Sequence, residues 1–151
     1  MRDFFLQIMA NRVLVGAFIA WGIAQMIKVP LNYVLFREWD WSLILSTGGM
    51  PSSHSALVTG MSVGIGLQEG FASPLFAIAS VIALIVIYDA IGIRRQAGDH
   101  ARVLNLMIDE LLTGHPLAEK ELKEVLGHTP REVIAGMALG VVVAVLVMRG
   151  S

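Results

Sequence analysis

The residues that could do chemistry are few, and most are cations, imidazoles or hydroxyls. Pro51-Ser52-Ser53-His54-Ser55 stands where a long apolar segment begins. A helix starting there would present free first-turn amides and the positive end of its macrodipole, which together favour an anion. Ser52 and Ser53 add hydroxyl donors. His54 adds an imidazole that can carry or release a proton near neutral pH. The adjacent Arg94 and Arg95 form a guanidinium pair suited to the oxygens of a phosphate. Lys28 and Arg37 are further cations at the end of an apolar run, where snorkelling to the interface is the plainer role. Asp89 closes another apolar run and reads as an ion-pair partner that holds cations in place. His100 and His128 are two more imidazoles near predicted helix starts, whereas His115 reads as a turn residue. No His, Asp or Glu cluster has zinc-site spacing, and the chain has no cysteine, so thiolate chemistry and disulfides are excluded. No metal or cofactor is expected.

The elements that must position these groups are apolar helices. Of 151 residues, 56% are hydrophobic and 15% charged, against about a quarter charged in a soluble domain. The net charge of −1 gives no reason to expect nucleic acid. Uncharged runs cover Val13 to Ile27, Ser55 to Gln68, Gly70 to Tyr88 and Val133 to Met148. Each is near or somewhat below the roughly 20 residues that cross a bilayer core. The first reads as an uncleaved span and not as a signal peptide. None alternates polar and apolar residues, so strands are excluded. Leu31 to Met50, broken by Arg37-Glu38, Asp40 and Gly48-Gly49, reads as a short helix plus an interfacial or re-entrant loop, with Trp39 and Trp41 at head-group depth. The predicted fold is an all-α polytopic membrane bundle in one domain, residues 1–151, with about four transmembrane helices and short interfacial helices.

Threading these spans through a membrane brings the unusual polar residues to one face. The first span arrives at Lys28 and the second departs from His54. The third returns to Asp89, Arg94 and Arg95, and the fourth departs after His128. Arg37 and His100 fall on the same side. That face also carries Arg102, Lys120, Lys123 and Arg131, while the other has Arg2, Arg12 and Arg149. The positive-inside rule puts the polar face in the cytoplasm and both termini outside, in a bacterial-type plasma membrane.

Local signals agree. Ser73-Pro74 caps the third span, and Thr129-Pro130-Arg131-Glu132 is a capping box with proline in the first turn. Asp99 is expected to cap a helix from His100 to Leu112, and Lys120 to Val125 to form a short solvated helix. Gly60-x-x-x-Gly64 and Gly136-x-x-x-Gly140 permit close helix approach, either within the chain or across a homodimer seam.

Pro51-Ser52-Ser53-His54, followed by Arg94 and His100, resembles the second and third signatures of the type 2 phosphatidic acid phosphatases, a superfamily that includes vanadium haloperoxidases. The stretches Gly48 to Ser55, Asp89 to Gly98, Leu104-Asn105 and Leu126 to Pro130 resemble its divergent branch. The resemblance covers most of the chain in order. It implies a metal-independent phosphoryl transfer in which His100 attacks phosphorus and His54 protonates the leaving oxygen. Lys28, Arg37, Arg94, Ser52 and Ser53 would hold the phosphate, with Arg95 beside them. The chain departs from the family pattern. The Lys28–Arg37 spacing is longer, Ser53 replaces a glycine and Ile93 replaces a serine. Leu104 stands where a carboxylate would orient the nucleophile. These departures leave His128 as a competing nucleophile.

The expected activity is hydrolysis of a membrane lipid phosphate or pyrophosphate, including a polyprenyl one, at the cytoplasmic face. The substrate class follows from a site placed among head groups. The rival expectation is a lipid-phosphate or anion binder, or carrier, that keeps the cradle without the chemistry.

Overall fold

The computed structural model describes residues 2–44, 48–112 and 128–150, excluding the side chains at 2, 93–97, 99, 109, 110 and 112. Regular structure among the described residues is entirely helical. The helices are α1 (Arg2–Ala10), α2 (Arg12–Phe36), α3 (Ser53–Glu69), α4 (Pro74–Ile91), α5 (Ile93–Leu112) and α6 (Pro130–Arg149), with a 3-10 turn at Trp41–Ile44. Each spanning segment starts on a side-chain cap. Asn11 accepts from the Leu14 amide at 3.0 Å, Ser52 from Ser55 at 3.3 Å and Ser73 from Phe76 at 3.2 Å. Thr129 and Glu132 complete a reciprocal capping box at the start of α6.

Helices α2, α4 and α6 are long and apolar enough to cross a membrane. At 17 residues α3 is shorter, yet it packs against all three. The four form a bundle in which touching helices run antiparallel, except α3 and α6, which run parallel. Position 64 of α3 meets Val13 at one end of α2, position 60 meets Ala17 and Ala20, and Gly49, just before α3, meets Lys28 at the other end. Along α6, Gly136 faces the Ser52 carbonyl and Gly140 faces Ala56 and Gly60. A Cβ on Gly140 would stand 2.6 Å from the Ala56 oxygen, and one on Gly136 would overlap the Ser52 oxygen. Gly136-x-x-x-Gly140 thus serves the α3–α6 approach, whereas Gly60-x-x-x-Gly64 faces α2, with Gly60 also against the Gly140 carbonyl. The core they leave is made of small groups: Ala20, Ala24 and Ala56 with Val143. Packing of this kind rests on close backbone contact, because lipid offers apolar side chains no worse an environment than the core does. The large apolar side chains of α4, such as Ile78, Val81 and Ile85, face outward, where lipid covers them.

Two boundaries differ from those expected. The first span does not stop at Lys28. Helix α2 continues through Pro30 to Phe36, ending where Arg37 adopts a left-handed conformation (φ 63°) and donates its amide to the Tyr33 carbonyl. Lys28 does not terminate the span because it is buried, 1% exposed, and lies within the electrostatic reach of Glu132. Membrane helices tolerate Pro30 because neighbours re-satisfy the freed carbonyl. The short helix expected after Leu31 is instead this extension of α2 plus the 3-10 turn. Likewise α5 starts at Ile93, directly after the Gly92 turn, so Asp99 lies inside the helix and not at its start. The helix expected at 120–125 lies outside the described residues.

Candidate functional site

The N-termini of α3 and α6 and the C-terminus of α4 meet at one end of the bundle. Backbone bonds lock them together. The Ser52 amide donates to the Glu132 carbonyl at 2.9 Å, and the His128 amide donates to the Ala90 carbonyl at 3.0 Å. This junction gathers residues from three distant parts of the chain.

His128 is its centre. The residue is 2% exposed, and its Nδ1 lies 2.9 Å from Glu132 Oε2. The same oxygen accepts from the Thr129 amide at 3.3 Å. An ionised carboxylate can only accept, so this contact assigns the proton of the neutral ring to Nδ1 and leaves a lone pair on Nε2. That Nε2 atom is buried and has no hydrogen-bond partner among the described residues. The ring of His54, half-buried in the first turn of α3, lies 6.3 Å away centroid to centroid, tilted by 56°. Ser53 is 1% exposed, and its hydroxyl also has no partner among the described residues. Buried polar atoms are normally satisfied, so a pair of them beside a helix N-terminus favours an anionic ligand that would accept and donate there. Ser52 is fully buried, but its hydroxyl is committed to the α3 cap and to Ser55 Oγ at 3.0 Å.

Lys28 approaches from α2. Its aliphatic stem runs beside Gly49, where a Cβ would stand 3.7 Å from Cδ, and the φ of +87° at Gly49 independently favours glycine. Asp89 is half-buried in the last turn of α4, next to the Ala90 carbonyl that binds His128. Arg94 and Arg95 occupy the first turn of α5, which follows α4 after a single turn residue; their side chains are outside the described set.

Two expected site residues stand apart. Arg37 is exposed at the end of α2, about 13 Å of helix rise beyond Lys28, with its guanidinium 5.9 Å above the Tyr33 ring. His100 is exposed in the middle of α5, which rests on α4 alone among the described residues. The group that sequence reasoning missed is Glu132. The capping box accounts for Glu132 as a cap; His128 precedes that cap, outside α6, and the pair forms because the Glu132 side chain reaches back past Thr129.

The model of the Divergent PAP2 family matches residues 9–143. An uncharacterized membrane protein of Bacillus subtilis strain 168, YuiD, is 43% identical over 152 residues, covering 93% of this chain and 96% of its own length. No solved structure matches the chain.

Proposed function

Since this chain belongs to the divergent PAP2 family of membrane proteins, we propose that it hydrolyses a phosphate ester of a membrane lipid through a covalent phosphohistidine on His128. The observation that carries this reading is the Glu132–His128 pair, with Nε2 unpartnered among the described residues beside His54. The family resemblance alone points to His100, but Leu104 leaves that residue without a carboxylate. Glu132 supplies the missing group to a different histidine.

In the reaction, the Nε2 lone pair of His128 attacks phosphorus. The bond between phosphorus and the lipid oxygen breaks, and His54 gives its proton to that oxygen, releasing the lipid alcohol. Glu132 holds the ring in the productive tautomer and stabilises the positive charge it gains. Water then loses a proton to His54 and attacks the phosphohistidine, which frees inorganic phosphate and restores Nε2. The Ser53 hydroxyl, the α3 amides, Lys28, Arg94 and Arg95 bind the phosphoryl oxygens as charge builds. Asp89 orients the cations. A location at the helix ends supports a lipid head group as substrate. The excess of cations at that end supports a cytoplasmic orientation in a bacterial plasma membrane.

Phosphate release from lipid phosphates in liposomes, with no metal added, tests this. Turnover inhibited by vanadate and lost in His54→Ala and His128→Gln is the expected result. Lipid-phosphate binding without release, across a broad panel, would instead establish a binder or carrier.

A further inference from the structure

We propose that α5 lies along the lipid surface at the site's end of the bundle, with one apolar stripe sunk among the acyl chains. This docking sets the direction of the helix turn that carries Arg94 and Arg95. Two observations put the start of α5 at that surface. Helix α4 crosses the membrane and ends at Ile91, and α5 begins at Ile93. Tyr88, one turn before the break, is 73% exposed, as suits an aromatic ring at head-group depth. Gly92 makes the break. Its amide donates to the Tyr88 carbonyl at 2.9 Å, and a Cβ there would crowd that oxygen at 3.1 Å.

Spacing identifies the stripe. His100, Val103, Leu104, Met107 and Leu111 recur at the intervals that fall on one side of a helix. All five are exposed, and Leu106 falls outside the stripe. A second side is turned to protein: Gly98 and Ala101 are buried, and Asn105 and Ile108 are half-buried. Arg102, exposed, stands opposite the stripe. Among the described residues α5 contacts no helix but α4. A second copy fits the stripe poorly. A paired-helix seam needs apolar positions sustained over three or four heptads, and the position that follows Val103 and Met107 in such a seam is Glu110. A bilayer surface asks only for one apolar strip on an otherwise charged helix. Arg94, Arg95, Asp99, Arg102, Asp109 and Glu110 make α5 far more charged than any spanning helix. The ring of His100, an apolar body with a polar tip, suits the same depth. The docking stands without the hydrolase reading; only its effect on turnover rests on that reading.

The chain has no cysteine, so single cysteines report position directly. Val103→Cys, Met107→Cys, Leu111→Cys and, opposite them, Arg102→Cys are labelled with the fluorophore NBD in the full chain. Each is reconstituted into vesicles of phosphatidylcholine and phosphatidylglycerol with doxyl groups along the acyl chains. The doxyl lipid should quench the first three labels and leave the fourth as bright as in plain vesicles. Equal quenching at all four positions overturns the proposal. So does no quenching at the stripe, with or without disulfides between copies through Met107→Cys. Joint Met107→Asp and Leu111→Asp should free the label at Val103→Cys from the quencher. Phosphate release should then fall about 10²-fold, the cost of misplaced binding groups, with the unfolding midpoint unchanged. Joint Met107→Leu and Leu111→Met should keep both quenching and release. Lost quenching with undiminished release would remove the link to Arg94 and Arg95. Stripe quenching in a chain that releases no phosphate from any lipid defeats hydrolysis and keeps the docking.

Discussion

Glu132 does two jobs with one side chain. It closes the capping box of α6 and fixes the tautomer of His128. Glu132→Gln separates them, because glutamine still serves a capping box but carries no charge. Phosphate release should fall about 10²- to 10⁴-fold, the usual worth of a positioned acid–base partner, while thermal stability changes little. A variant that keeps full activity would show that Glu132 only caps. His100→Gln, by contrast, should retain turnover, because that ring is exposed on α5. The histidines and hydroxyls of this site were legible from the sequence, as was their convergence on one face. Which imidazole carries a carboxylate was not. Leu104 removed the partner that the family pattern supplies, and the replacement sits in a different helix, from which it reaches back past the Thr129 cap to His128.

The helices place the site through contacts that tolerate no added atoms. Gly136→Ala would drive a methyl into the Ser52 carbonyl, which belongs to the same turn that presents Ser53 and His54. Overpacking of this kind costs roughly 1–3 kcal/mol, so the unfolding midpoint in detergent should drop, and activity should fall with it. Thr129→Ala removes one cap and should cost about 1 kcal/mol. An unchanged midpoint in Gly136→Ala would mean that α3 and α6 do not touch as described. The spans were readable because uncharged runs and capping residues mark them directly. The end of α2 was not. A lysine and a proline normally signal a stop, but Lys28 is buried within the electrostatic reach of Glu132 and the helix runs on to Phe36. The start of α5 was obscured in the same way, since Asp99 has the form of a cap but the helix had already begun.

For the molecule as a whole, the bundle brings cations and imidazoles to one end and leaves the Glu69–Gly70 turn at the other. A cysteine introduced at Glu69 should react with a membrane-impermeant reagent only from outside the cell, and one at Arg131 only after the cytoplasmic side is opened. The reverse pattern would turn the site outward. The deepest commitment is chemical. Brief incubation with a lipid carrying a radiolabelled phosphate, quenched in alkaline denaturant and mapped by peptide, reads it directly. We expect label on His128, retained in His100→Gln and absent in His128→Gln. Label on His100, or phosphate release with no labelled histidine at all, would contradict the account.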